Sequence, residues 1–245
     1  MLELGLRSPA LYQAANNAME PTITKTILIT GASTGIGEAT ARAASVAGWR
    51  VVLIARSKDK LDALAQEIGD TALALPCDVT DRAALRAAIE EGVSHFGELN
   101  AVFANAGRGI DKPGVEKGDP DEWREMIDLN VMSVLYTAHE SIPHLKPTKG
   151  HFIVTGSKAG RDYFKGSVYS ASKWFVHGFA ENLAEEMRDW GGRCTVIAPG
   201  MVDTPFFDEP KPTKLQPSDI AGAVMFALDQ PETSAVREIY LMPND

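Results

Sequence analysis

The chain has 245 residues, 44% of them hydrophobic, with 21 Gly and 14 Pro, which suits one globular α/β domain with a substantial core. A formal net charge of −9 argues against nucleic acid or an anionic membrane surface as the main partner, because both select basic surface. No apolar run reaches the ~18 residues of a membrane span.

Cys77 and Cys194 lie far apart in apolar, strand-like runs, the pattern of buried free thiols in a reducing cytoplasm. In residues 1–18, Leu2, Leu4 and Leu6 alternate with Glu3, Gly5 and Arg7, unlike the basic start and apolar block of a signal peptide. This stretch reads as a flexible extension, or Met19 as the natural start, with one domain over 19–245.

From Thr24 the pattern alternates between apolar runs and helical segments. Thr26–Thr30 is a first strand, followed by a glycine-rich turn and a helix from about Gly35 to Ala47. Arg50–Ala55 is a second strand, Ser57–Ile68 a serine-capped helix, Ala72–Cys77 a third strand and Asp81–Phe96 a helix. Asn100–Ala104 is a fourth strand, and a long helical pattern runs from Pro120 to Ile142, stopped by Pro143. Then come a strand at Gly150–Gly156, a helix at Ser167–Arg188, a strand at Arg193–Ala198, a serine-capped helix at Ser218–Asp229 and a last strand at Val236–Leu241. Strands that are apolar throughout and separated by helices predict a parallel sheet covered on both faces. Right-handed crossovers make it a doubly wound, Rossmann-type sheet of about seven strands, with its site at the carboxyl ends of the strands.

The turn after the first strand is Thr30-Gly31-Ala32-Ser33-Thr34-Gly35-Ile36-Gly37. Its glycines let backbone N–H groups approach a pyrophosphate at a helix N-terminus. An acidic residue after the second strand would bind an adenosine ribose and favour NAD. Here that strand ends in Ala55 and Arg56, so a guanidinium stands where a 2′-phosphate would sit, and NADP is favoured over NAD. Asp78, in the CDVTD stretch, is either an acceptor for the adenine amino group or the cap of the next helix.

Tyr169 and Lys173 are four apart in a helical segment. Four helical residues turn about 400° and rise about 6 Å, so phenol and ammonium share a face. A cation about 4 Å away at an effective dielectric of about 20 favours the phenolate by up to about 4 kcal/mol, nearly 3 pKa units. That would bring tyrosine toward the range of a useful general acid or base.

Taken together, these marks resemble the short-chain dehydrogenase/reductase family from about Thr24 to Leu241. They are TGASTGIG at 30–37, Asn105-Ala106-Gly107, Asn130, Ser157, YSASK at 169–173, and Pro199-Gly200 with Thr204, in that order. The resemblance implies that Tyr169 is the acid in reduction and the base in oxidation. It implies that Lys173 lowers the phenol's pKa and holds the nicotinamide ribose, that Ser157 donates to the substrate oxygen, and that Asn130 holds a relay water. It implies cofactor contacts from Gly31, Ser33, Thr34, Gly35, Ile36, Gly37, Arg56, Asp78, Val79, Asn105, Ala106 and Gly107. Further contacts fall on Tyr169, Lys173, Pro199, Gly200, Val202 and Thr204, and a homodimer or homotetramer is implied as the assembly.

Ser157 stands one residue closer to Tyr169 than in many members, which makes its loop one residue shorter. Ser167, Ser170 and Ser172 read as helix-start or packing residues. The ending LQPSDIAGAVMFAL…EIYLMP looks like the NADP-dependent 3-hydroxy acid (serine-type) dehydrogenases. Lys158, Arg161 and Arg108 are candidate partners for a substrate carboxylate; a broad-range ketone or aldehyde reductase is the alternative. The segment Pro205–Leu215 is a short lid, in which Phe206 and Phe207 either wall the pocket or bury against the body. A non-catalytic NADP-binding regulator would use the same fold, but would have no use for Ser157, Tyr169, Lys173 and Asn130 together. A Rossmann-like methyltransferase would share the glycine turn and leave the YxxxK helix unexplained.

Overall fold

The computed structural model describes residues 25–112 and 114–244. The expected extension at 1–18, and Met19 as a start, lie outside the described residues. Among the described residues, seven strands form one parallel sheet: β1 Thr26–Thr30, β2 Arg50–Ala55, β3 Ala72–Pro76, β4 Ala101–Ala104, β5 His151–Thr155, β6 Arg193–Pro199 and β7 Glu238–Leu241. Their spatial order is β3-β2-β1-β4-β5-β6-β7, so the chain reverses its direction of growth between β1 and β4. That reversal opens a crevice at the carboxyl ends of the strands.

Alternate residues of each strand feed two separate cores. Leu28, Val52, Ile54, Val102, Phe152 and Val196 face one layer of helices. Ile27, Ile29, Leu53, Phe103, Ile153 and Ile197 face the other. Both faces are therefore apolar, which is why the strands show no polar alternation. The second layer holds α1 Gly35–Val46, α2 Lys58–Ile68 and α7 Pro217–Leu228; the first holds α3 Arg82–Phe96, the long broken helix and α6 Val168–Arg188. On α6 the buried residues Lys173, Val176, Ala180, Leu183 and Met187 recur every three or four positions, with Ala184 beside them, the stripe that seats it on the sheet.

Three boundaries depart from expectation. The long helix does not stop at Pro143: α4 Pro120–Ile127 passes through a π-turn at Asp128–Met132 into α5 Ser133–Leu145, with Pro143 inside. Helical bonding resumes beyond it, Lys146 N–H reaching Ile142 O at 3.0 Å, and Leu145 is fully buried, so packing outweighs the lost bond. α7 is capped at Gln216 rather than Ser218; Pro217 takes the first helical position and Gln216 N–H donates to Asp219 Oδ2 at 2.7 Å. Ser57 precedes α2 without any side-chain capping bond.

Candidate active site

The glycine turn and the segment after β4 meet across the crevice. Gly31 has φ +67°, and a Cβ on Gly37 would lie 2.2 Å from Gly31 O, so a side chain there would break the close turn. Thr34 precedes α1 without a side-chain capping bond, so the first N–H groups of that helix are left for another acceptor. Ser33, Thr34, Gly35 and Ile36 are all partly exposed around that helix start.

Asn105 is used to hold this turn. Its Nδ2 donates to Thr30 O at 3.2 Å, and its Oδ1 accepts from Thr155 Oγ1 at 3.0 Å, so it ties together the ends of β1, β4 and β5. Thr30 Oγ1 accepts in turn from Asn105 N at 3.0 Å and Ala106 N at 3.1 Å. Gly107 lies against Asn130 and Lys173: a Cβ there would be 3.2 Å from Asn130 Oδ1 and 3.8 Å from Lys173 Nζ.

Arg56 is exposed at the carboxyl end of β2; burial works against the Asp78 carboxylate, but hydrogen bonds from Thr80 and, to a smaller extent, the Arg56 charge hold its pKa below the ordinary value. Asp78 is not the helix cap. It accepts from Thr80 N at 3.0 Å and Thr80 Oγ1 at 2.8 Å, whereas Asp81 caps α3 through Ala83 N and Ala84 N. Val79 is buried beside it. On the far side of the crevice, Gly200 N–H bonds to Leu241 O at 2.7 Å, following Pro199 at the end of β6. Val202 bridges to Leu215, and Thr204 packs its methyl against Gly35.

The serine loop brings Ser157 close enough to Tyr169 for its hydroxyl to favour the phenolate, and Ser157 Oγ accepts from Ala159 N at 3.0 Å. Burial raises the Tyr169 pKa, opposed by Ser157, so the phenol is protonated at neutral pH. That differs from the lowered value expected from the spacing. Lys173 Nζ lies 6.0 Å from the centre of the Tyr169 ring and donates to Thr155 O at 2.9 Å. Only 6% exposed, Lys173 has its own pKa depressed to about 8 by burial.

Asn130 sits in the π-turn, a distortion frequent at functional sites. Its side chain clamps one residue: Nδ2 donates to Arg108 O at 2.9 Å, and Oδ1 accepts from Arg108 N at 2.9 Å. Nδ2 also reaches Ser172 Oγ at 3.3 Å. Ser167 caps α6 by accepting from Ser170 N at 3.0 Å. Phe206 is not buried against the body: it is 45% exposed, with its ring 5.9 Å from that of Tyr169 and 5.2 Å from that of Phe207. The three candidate cations are all engaged, Lys158 with Asp162, Arg161 with Glu238, and Arg108 with Glu125 at 2.6 Å.

A doubly wound parallel sheet with this crevice and these hydroxyls defines a Rossmann-type oxidoreductase. The short chain dehydrogenase family model matches residues 25–214, and the chain belongs to that family. It is 39% identical over 225 residues to an uncharacterized oxidoreductase of Staphylococcus aureus (strain MRSA252), covering 89% of this chain and 97% of that protein. An alcohol dehydrogenase from the archaeon Thermococcus sibiricus, complexed with 5-hydroxy-NADP, superposes with a TM-score of 0.84 at 31% identity, covering 90% of this chain and 97% of that one. Serine dehydrogenase from Escherichia coli gives 0.81 at 28% identity, covering 89% and 97%.

Proposed function

We propose that the protein is an NADP(H)-dependent oxidoreductase that interconverts a small secondary alcohol and its carbonyl compound. The observation that carries this reading is Ser157 acting on Tyr169, with Lys173 buried beside them, at the carboxyl ends of the strands. The residues fit the cofactor: an uncapped helix start can take the pyrophosphate, and Arg56 the 2′-phosphate. Asp78, Val79, Ala106, Gly107, Gly200, Val202 and Thr204 surround the rest of the crevice. Bound there, the dinucleotide supplies or accepts the hydride.

The chain supplies the proton and the polar setting. In reduction, the Tyr169 phenol gives its proton to the substrate oxygen, and the Ser157 hydroxyl donates to that same oxygen as its negative charge develops. In oxidation, the tyrosine takes the proton back. The Lys173 ammonium spends one donor on Thr155 O and keeps two for the nicotinamide ribose and for stabilising the phenolate. Asn130 has both amide hydrogens occupied, so a relay water would donate to its Oδ1 or to a main-chain oxygen of the π-turn.

The pairing of Lys158, Arg161 and Arg108 with carboxylates favours a neutral ketone or aldehyde. The likeness to the E. coli serine dehydrogenase favours a second reading, a 3-hydroxy acid. A panel of 3-hydroxy acids, secondary alcohols and sugars with NADP separates them. Tyr169→Phe should lower kcat by at least about 100-fold while NADPH still binds; retained turnover would reject the assignment. Trp174 at 41% and Phe175 at 38% exposure leave an apolar face on α6 for a second copy in a homodimer or homotetramer. Light scattering at micromolar concentration should find an oligomer, and a monomer would reject it.

A further inference from the structure

The loop that carries Ser157 is gripped from one side by a single stripe of α6. Lys173 donates to Thr155 O at 2.9 Å, and Ser170 Oγ donates to Ala159 O at 2.7 Å. Between those two points, Ser157 N–H donates to Nε2 of His177 at 3.3 Å. The imidazole is closely seated: a Cβ on Gly156 would lie 2.5 Å from His177 Nε2, and one on Gly160 would lie 2.6 Å from Cδ2. Behind the ring, Nδ1 lies 3.6 Å from Glu238 Oε1 on β7, and Glu238 is held in turn by Arg161, whose Nε donates to Oε1 at 2.6 Å.

We propose that His177 is a positioning residue for Ser157, held by Glu238 and Arg161, so that the C-terminal strand fixes the serine's register. This rests on the reading of Ser157 as the donor to the substrate oxygen. Because Ser157 N–H donates to Nε2, that nitrogen must be unprotonated, which places the neutral ring's proton on Nδ1, toward Glu238. A doubly protonated ring would oppose one donor to another and release Ser157. The charged groups around the ring are Glu238 on β7, Arg161 after the serine loop, and Lys173 and Glu181 on α6, the last lining the same cavity of about 490 Å³. Burial lowers the His177 pKa, Arg161 and Lys173 push the same way, and Glu238 opposes them. The ring is thus neutral at pH 7, and the cavity gives protons a path to it.

The test compares wild-type protein, His177→Leu, His177→Gln and Tyr169→Phe in NADPH-dependent carbonyl reduction, each checked for folding by circular dichroism. His177→Leu should lower kcat about tenfold with NADPH affinity unchanged, the consequence of leaving one buried N–H without an acceptor. His177→Gln, whose amide oxygen can accept that N–H, should recover most of the loss. Wild-type kcat should fall on an acid limb below the ordinary histidine range, that limb should be missing in His177→Gln, and Glu238→Gln should move it to lower pH. Leucine and wild-type proteins with equal kcat and the same acid limb would overturn the proposal. A misfolded leucine variant leaves the decision to His177→Gln and to the ¹⁵N spectrum of the wild-type imidazole, in which an unprotonated Nε2 at pH 7 supports the proposal and a protonated one overturns it. Unimpaired turnover in Tyr169→Phe would instead reject the reading of the site, whatever the His177 variants do.

Discussion

Lys173 is an expensive residue, and replacing it by methionine should separate stability from activity. Its ammonium is buried, with a pKa depressed from 10.5 to about 8. A depression of that size corresponds to about 3 kcal/mol of penalty for carrying the charge in the folded state at neutral pH. The folded state binds this proton less tightly than the unfolded chain, so the wild-type penalty is full below pH 8 and disappears as pH rises toward 10.5. Against the gain in Lys173→Met stands the loss of a partner for Thr155 O, about 1–3 kcal/mol. The variant should therefore be more stable at pH 7 by about 1 kcal/mol, or about 2–4 °C in Tm for a chain of this size. Its kcat should fall at least about 100-fold, a trade of activity for stability. Urea unfolding of both proteins between pH 7 and pH 10 measures the difference, which should shrink and then reverse across that range. A methionine variant less stable at pH 7, by an amount that does not change with pH, would refute the claim that the buried charge is held at a cost.

Two further substitutions test the edges of the site and of the fold. Arg56→Asp should lower the ratio of NADPH to NADH efficiency about ten- to hundredfold, since it replaces a charge-assisted contact with repulsion; equal use of both cofactors by the unmutated protein would remove the role of Arg56. Glu140 on α5 receives Arg82 at 2.7 Å and Arg86 at 2.9 Å from α3, and these partners hold its pKa down at about 2 from an ordinary 4.5. A depressed carboxyl stabilises fully above pH 4.5 and loses that contribution as pH falls toward 2, so the deficit of Glu140→Gln should fade over that interval. At pH 7 the deficit should be about 1–2 kcal/mol by thermal unfolding.

The sheet was legible because strands buried on both faces leave uninterrupted apolar runs, and the glycine turn because few side chains fit its geometry. What escaped the sequence depended on which backbone group a side chain meets. Asp78 and Asp81 both suit a cap in CDVTD, and only the register of α3 assigns that role to Asp81. Nothing in Asp128–Met132 marks a π-turn, and Pro143 does not end its helix because the turn beyond it is anchored by buried Leu145. The Tyr169–Lys173 spacing placed two groups on one face but could not place Nζ, which Thr155 O draws toward the sheet. His177 carried no signal at all, because its partner is a main-chain N–H twenty positions earlier.

That last point changes how the Tyr169 helix works. In the proposed mechanism a proton donor and an oxyanion donor must be held at a fixed separation from one substrate oxygen, and loops vary more than helices do. Here the separation is set by one rigid element: α6 carries Tyr169 itself, and Ser170, Lys173 and His177 on the same helix reach Ala159 and Ser157 of the loop and Thr155 at the end of β5. A loop one residue shorter can then present its serine at the same place, because its position is read from α6 rather than from its own length. Changes in loop length between Thr155 and Tyr169 should therefore be tolerated where all three contacts survive. Inserting one residue after Gly166, beyond the gripped segment, should cost kcat far less than inserting one between Ser157 and Ala159.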